Sequence, residues 1–503
     1  MGRFMHAAKV IADAVSELGW QLALIDVVRA TPTDVRDVLA FCGEILTQHN
    51  EDALAREAYT KLGDVNKLMA LFVKRQMWVE AAKLADENEG KFDSSVFLPY
   101  AEWLIIQDRC EDAIQAYNKA GRQDLARKIL EELTLNAVVE TRFKDASYYY
   151  WLLAKDIREG TDSNYQLECE HNADLYYAYS SIQSYVTDPF TSQSPELLFQ
   201  VSRFIINSLG SSGSIPYGIS KAATLYTLAR QSMILEAYKL ARHSYDRLNK
   251  LQIPSRWQDE VERDMLIVQA KPVRDNPDQL PSCYRCSSTN PLLNPFTNKF
   301  AKGDVCTNCG HPFVRSFINF DILPLVEFVP EPSITDEEAV ELIRTSPGAA
   351  RSPRATNGES SKSGWNEGKV GHADMMTFGS VDSNGEDVMG PGSMTSGPSE
   401  ELFANCLNKT LENQMNAMSY IPVTVDTVTL LQGMKRSEVF VCRPSSPEKR
   451  ATFYRNMLPE VVEIAISQSC HRFFHLEDFE FSYLSNKSCP FSRLNDVGEY
   501  GSL

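Results

Sequence analysis

The chain has 503 residues, a formal charge of −17 and a hydrophobic fraction of 43%. That length accommodates three or four domains, each with its own core. The acidic balance argues against nucleic acid as the main partner, because phosphates are held by Lys and Arg. No apolar run reaches the ~18 residues of a membrane span, and Arg3, His6, Lys9, Asp13 and Glu17 interrupt the first stretch. Neither a transmembrane helix nor a signal peptide is therefore expected, and the thiols of such an intracellular chain should stay reduced.

Residues 1–160 show helical periodicity throughout, with Gly and Pro sparse and apolar residues recurring three and four apart, as in Ala7, Ala8, Val10, Ile11 and Val15. They also repeat. Trp78-x-x-Ala81, Cys110-x-x-Ala113 and Phe143-x-x-Ala146 lie 32 and 33 residues apart, and Phe4-x-x-Ala7 opens the series. Ala58-Tyr59-x-Lys61-x-Gly63 returns as Ala116-Tyr117-x-Lys119-x-Gly121, each time placing a Gly where a helix would end in the left-handed region. A period near 34 with small residues where helices touch is the signature of tetratricopeptide-like hairpins, which bury their apolar faces only by stacking. Residues 161–275 read as a weaker continuation of that helical solenoid. Their tyrosines are assigned to packing, since no basic stripe interleaves them.

Residues 276–344 carry the most specific signal. Cys283-x-x-Cys286 and Cys306-x-x-Cys309 flank nineteen residues holding Asn290, Pro291, Asn294, Pro295 and Gly303. Four thiolates in two such turns suit a closed tetrahedral zinc site, structural rather than catalytic because no coordination position stays open. The β-branched and aromatic residues from Pro312 to Phe328 predict two or three short strands, and Thr335-Asp-Glu-Glu338 predicts a capping box at the head of a helix.

Residues 345–400 turn to Ser, Gly, Pro and Asn, the composition of a disordered linker. Within it Gly364 to Val370 falls one residue short of a phosphate loop and lacks its Ser or Thr, and Ser352-Pro353 is a commonplace phosphorylation pattern. Residues 401–503 are expected to form a small α+β domain, with strands at Ile421–Leu431 and Glu438–Cys442 and a short basic helix at Lys449–Met457. Near the end, Ser467-x-x-Cys470 and Cys489-x-x-Ser492 resemble half a metal site. A second zinc there would need His471 or His475 as a substitute ligand, and apolar packing is expected instead. No catalytic constellation is present: neither His-Glu-x-x-His nor Gly-x-Ser-x-Gly occurs, and the paired carboxylates fall at helix starts or on exposed faces. The expectation is a mainly α, non-enzymatic protein.

The order of these features, with the strings Cys283-Tyr-Arg-Cys-Ser-Ser-Thr-Asn-Pro-Leu-Leu293, His311-Pro-Phe313, Leu325-Val-Glu-Phe328, Ala146-Ser-Tyr-Tyr-Tyr-Trp-Leu152 and Tyr238-Lys-Leu-Ala-Arg-His-Ser-Tyr245, resembles the C-terminal half of the intraflagellar transport protein 122 family. The likeness covers about residues 20–340 well and 420–495 more loosely. It implies a structural subunit of transport complex A, with the other complex A subunits as partners. Transport trains and the retrograde dynein would be met indirectly, and ciliary membrane-receptor cargo through adaptors. It implies a place at the cilium, basal body and cytoplasm, no direct membrane insertion, and Cys283, Cys286, Cys306 and Cys309 as zinc ligands. Family members begin with WD-repeat propellers, which this chain does not show, and their distal site is a pair of Cys-x-x-Cys motifs, where this chain has Ser467 and Ser492. Two further readings stand beside the scaffold: a vesicle-coat or tethering subunit, which shares solenoids and zinc ends, and a zinc-dependent ubiquitin ligase. The ligase needs eight interleaved ligands around two metals, and these clusters are far apart with the distal one incomplete.

Overall fold

In a computed structural model the described residues are 2–13, 19–33, 35–88, 97–156, 163–188, 193–212, 215–295, 303–345, 398–417, 419–443 and 450–495. They divide into two compact units, Met1–Ala173 and Asp174–Leu503. The protein is mainly helical, with nineteen α-helices among the described residues. None of these is long and apolar enough to cross a membrane.

The first unit holds α1 (Gly2–Asp13), α2 (Trp20–Ala30), α3 (Arg36–Gln48), α4 (Asp52–Leu62), α5 (Val65–Lys74), α6 (Trp78–Glu87), α7 (Phe97–Ile106), α8 (Cys110–Lys119), α9 (Gln123–Val139), α10 (Phe143–Asp156) and the start of α11 (Ser163–Thr187). The repeat read from the sequence falls on equivalent structural positions. Trp78, Cys110 and Phe143 each begin a helix, and Ala81, Ala113 and Ala146, one turn on, are buried. Gly63 and Gly121 follow their helices with φ of 70° and 72°, the left-handed geometry that costs Gly no Cβ clash. The lysines of the second echo tie successive repeats together. Lys61 Nζ donates to the carbonyls of Val28 and Arg29 at the end of α2, at 2.9 and 2.7 Å. Lys119 Nζ meets Asp86 Oδ1 at 2.6 Å, reaching back 33 residues just as Lys61 does to Val28. A cation at a helix C-terminus also meets the negative end of its dipole.

Gly43 serves a different end. It lies in the middle of α3, where a Cβ would stand 2.5 Å from Cε1 of Tyr59, so its lack of a side chain lets α4 press its buried tyrosine against the α3 backbone.

The second unit continues with α12 (Pro195–Ser212), α13 (Lys221–Ile234), α14 (Tyr238–Leu248) and α15 (Ser255–Gln269). After these come β1 (Leu325–Pro330), α16 (Asp336–Thr345), α17 (Pro398–Asn416), β2 (Val423–Val425), α18 (Thr427–Gln432), β3 (Val439–Cys442), β4 (Thr452–Asn456), β5 (Ile464–Ile466), β6 (Phe473–His475) and α19 (Leu476–Asn486). The capping box forms as expected: Glu338 N–H donates to Thr335 Oγ1 at 3.3 Å, and Thr335 N–H to Glu338 Oε2 at 3.0 Å. Four strands make one sheet in the order β2-β1-β4-β3, with β1 parallel to β2 and antiparallel to β4. Strand β1 thus lies between two strands from beyond residue 400, joining the stretches read from the sequence as a zinc module (276–344) and a C-terminal domain (401–503). Val326, Phe328, Phe403, Val423, Leu430 and Phe453 share its core.

Two local expectations are corrected. The helix expected over Lys449–Met457 does not form in its described residues, 450–457, because residues 452–456 form β4 and pair with β1 and β3 on either side. Ile421–Leu431 is not one strand, because Asp426 accepts from Thr429 N–H at 2.9 Å and starts α18 after only three strand residues. The linker expected over 345–400, with Ser352 and the Gly364–Val370 string, lies outside the described residues between Thr345 and Pro398.

Candidate metal centre

Each Cys-x-x-Cys pair sits in a tight turn with one hydrogen-bond pattern. Cys283 N–H donates to the Ser288 carbonyl at 3.0 Å and Ser287 N–H to the Cys283 carbonyl at 2.8 Å. In the second turn Cys306 N–H donates to the His311 carbonyl at 2.9 Å and Gly310 N–H to the Cys306 carbonyl at 3.0 Å. The fifth residue of each turn, Ser287 or Gly310, is left-handed, with φ of 53° and 73°. Isolated bridges Ser282↔Thr289 and Val305↔Pro312 close the turns. Asn290 joins them, its Oδ1 accepting from Thr307 N–H at 2.8 Å and Thr307 Oγ1 at 2.9 Å.

The four sulfurs lie within 4.8 Å of one another, with Cys283–Cys309 and Cys286–Cys306 both at 3.7 Å. A zinc–thiolate bond of ~2.3 Å in a tetrahedron requires ligand pairs about 3.8 Å apart, so the donor set fits zinc in number, softness and spacing. Without a cation, four thiols packed this closely, three of them buried, cannot share negative charge evenly. Hydrogen bonds from Cys283, then Cys286 and Cys309, draw Cys306 far below the ordinary thiol range, while those involving Cys286, Cys306 and Cys309 push Cys283 far above it. A bound divalent ion would hold all four as thiolates, offsetting two of their four negative charges.

Residues to which no motif assigns a role anchor this centre. Arg285, inside the first turn and 1% exposed, donates from Nη1 to the Cys309 carbonyl at 3.3 Å and from Nη2 to the Ile421 carbonyl at 2.6 Å. It also lies 4.9 Å over the Tyr420 ring. His311, buried and held down to about 4 by desolvation and then by Arg285, stays neutral and accepts from Glu327 N–H at 3.3 Å, fixing the second turn to β1. A buried polar seam also fixes the ribbon to α12. Arg203 Nε donates to the Leu292 carbonyl at 2.8 Å, Asn207 Nδ2 to Asp304 Oδ1 at 2.9 Å, and Asn294 N–H to Asn207 Oδ1 at 3.1 Å. Arg315 pairs with Asp304 and shares Gln200 Oε1 with Arg203. Desolvation, with Arg315 nearby, lowers the Arg203 guanidinium to about 9.

Two family profiles match the chain: "IFT122, TPR domain" over residues 2–223 and "IFT122, zinc ribbon domain" over residues 276–326. The second covers both cysteine turns. The chain belongs to the intraflagellar transport protein 122 family. It is 40% identical over 501 residues to the intraflagellar transport protein 122 homolog of Danio rerio, covering 98% of this chain and 39% of that one. The Mus musculus homolog is 37% identical over 491 residues, covering 95% and 38%, and the Homo sapiens homolog 36% over 504 residues, covering 98% and 37%. The chain therefore spans about two fifths of the length of the curated relatives it matches. The four-cysteine cluster is the feature expected of that family's zinc ribbon.

The distal half-site is also assembled, with Phe491 packed against Tyr177 at 5.2 Å and Phe317 at 5.5 Å. Cys470 and Cys489 bring their sulfurs to 3.9 Å, and Ser467, Ser469 and Ser492 hydrogen-bond around them. His471 and His475 do not complete a ligand set: among the described residues, only Cys283, Cys286, Cys306 and Cys309 form a group of three or more potential ligands.

Proposed function

We propose that this chain is the C-terminal scaffold part of a subunit of intraflagellar transport complex A, supporting retrograde ciliary transport and cilium assembly through protein–protein contacts. Membership of the family supports the complex. The tetratricopeptide-like repeats support the mode of action, since stacked hairpins offer extended surfaces to partner proteins. Other complex A subunits are then the direct partners, trains and the retrograde dynein indirect ones, and the cilium with its basal body and the cytoplasm the place of work.

The observation that carries the mechanism is the double anchorage of the four-cysteine ribbon. Zinc held by Cys283, Cys286, Cys306 and Cys309 supplies a cross-link that a fold of this size lacks in hydrophobic core. Arg285 and His311 pass that rigidity to Ile421 and β1, and Asp304 with Asn294 pass it to α12. Surfaces on either side of the ribbon are thereby kept in register.

The test is co-purification. Wild-type chain co-expressed with tagged complex A subunits should be captured with them, and Cys306→Ala should lose that capture in proportion to its loss of zinc. Equal capture of a zinc-free Cys306→Ala chain would remove the organising role from the ribbon.

A further inference from the structure

The turn pattern of the two cysteine pairs recurs twice in the distal region. Ser467 N–H donates to the Arg472 carbonyl at 3.0 Å and His471 N–H to the Ser467 carbonyl at 2.8 Å. Cys489 N–H donates to the Leu494 carbonyl and Arg493 N–H to the Cys489 carbonyl, both at 3.0 Å. The fifth residues, His471 and Arg493, are left-handed with φ of 53° and 57°. The Ile466↔Phe473 pair of β5 and β6 closes the first turn as Ser282↔Thr289 closes that of Cys283. These two turns meet as the proximal pair does, since 3.9 Å between Cys470 and Cys489 is close to the 3.7 Å of the proximal cysteines. The frame is that of a zinc ribbon.

Its other two corners are hydroxyls, and they are engaged. Cys470 Sγ donates to Ser467 Oγ at 3.2 Å, Ser467 and Ser469 hydroxyls lie 3.0 Å apart, and those of Ser469 and Ser492 2.6 Å apart. The chain Cys489–Cys470–Ser467–Ser469–Ser492 is buried at every member whose exposure bears on a ligand corner: 1% for Ser467, 0% for Ser492, 6% for Cys470 and 1% for Cys489. A neutral hydroxyl is a weak ligand for zinc, and two thiolates alone do not close a tetrahedron. Buried polar groups must nonetheless be paired, and this chain of hydrogen bonds pairs them.

We propose that the distal turns form a metal-free zinc-ribbon frame, held by the Ser467–Ser469–Ser492 hydroxyls and the Cys470–Cys489 thiols in place of an ion, and that restoring sulfur at positions 467 and 492 converts it into a zinc site. The two ends of the second unit then differ in kind. The proximal ribbon depends on zinc and loosens under chelation, and the distal frame does not.

The experiment measures zinc per chain on three full-length proteins prepared side by side: wild type, Cys470→Ser/Cys489→Ser and Ser467→Cys/Ser492→Cys. The first two should carry equal zinc, and the third one additional zinc per chain, with a matching increase in cobalt–thiolate absorbance after exchange into cobalt. A loss of one zinc in the Cys470→Ser/Cys489→Ser protein would overturn the metal-free state. A Ser467→Cys/Ser492→Cys protein with wild-type circular dichroism and no additional zinc would overturn the competence of the frame. Should that variant not fold, the comparison of the other two still decides whether the wild-type site holds metal. Because each readout is a difference from wild type, it is independent of the zinc at Cys283 to Cys309.

Discussion

The Arg285 guanidinium donates to the carbonyl oxygen of Ile421, 136 residues further along the chain, at 2.6 Å. The same guanidinium reaches the Cys309 carbonyl, so one side chain ties the metal centre to the segment that leads into β2. Charge-assisted hydrogen bonds from a buried group contribute about 1.5–3 kcal/mol. Arg285→Met should lower the stability of the second unit by about that amount, read as a lower urea midpoint of its near-UV circular dichroism. Arg285→Lys should not rescue it, because a point charge does not span two carbonyls as the planar fork does.

Strand β1 is paired on both sides, with β2 through Phe328↔Val423 and with β4 through Leu325↔Asn456. Cutting the chain between Thr345 and Pro398 therefore leaves two pieces that share a sheet and a core. After cleavage at a protease site placed there, the pieces should elute together in gel filtration and separate only in denaturant. Separation under native conditions would contradict the sheet order.

Much of the first unit was legible because its repeat is local. An Ala at the fourth position of each repeated motif sits one turn into a helix, and the Ala-Tyr-x-Lys-x-Gly echo writes out packing, tether and stop in six residues. The cysteine turns were legible for the same reason. The sheet was not. Thr452–Asn456 has two basic residues nearby and a strand's alternation for only a few positions, and its identity is fixed by β1, more than a hundred residues upstream. The Asp426 cap was a local signal that the run of β-branched residues around it outweighed. Arg203, Arg285, Asp304 and Arg315 owe their roles to burial between elements distant in sequence, which no short window displays.

The Asp304 carboxylate is buried against Arg315 with 7% and 3% side-chain exposure. Desolvation pushes its proton affinity up, but the charge of Arg315 and its hydrogen bond, with Arg203 and Asn207, outweigh that and hold the group below the ordinary carboxylate range. A carboxyl with a depressed folded-state value contributes stability above its unfolded value of ~3.9 and loses it as pH falls through the folded value. Asp304→Asn, which leaves Arg315 buried without its counter-charge, should cost about 3 kcal/mol at pH 7. The gap in melting temperature from wild type should stay flat down to about pH 4.5 and narrow below ~3.9. A gap that narrows between pH 7 and 5 would assign the effect to another group.

In the first unit, Gly43→Ala should force Tyr59 from its place against α3, since the new methyl would stand 2.5 Å from the ring. Overpacking of this kind costs about 1–3 kcal/mol, visible as a lower melting temperature. Tyr59→Leu, which makes room, should recover part of the loss in the double variant.

The zinc ion proposed at Cys283, Cys286, Cys306 and Cys309 organises the second unit. Zinc per chain, measured by elemental mass spectrometry on wild type and Cys306→Ser with hydrogen exchange followed across 423–456, tests it most directly. Wild type should carry one zinc and the variant none, with faster exchange in β2 and β4 and the α1–α10 helices unchanged. A zinc-free wild type, or a zinc-free variant whose β2 and β4 exchange as slowly as before, would contradict it.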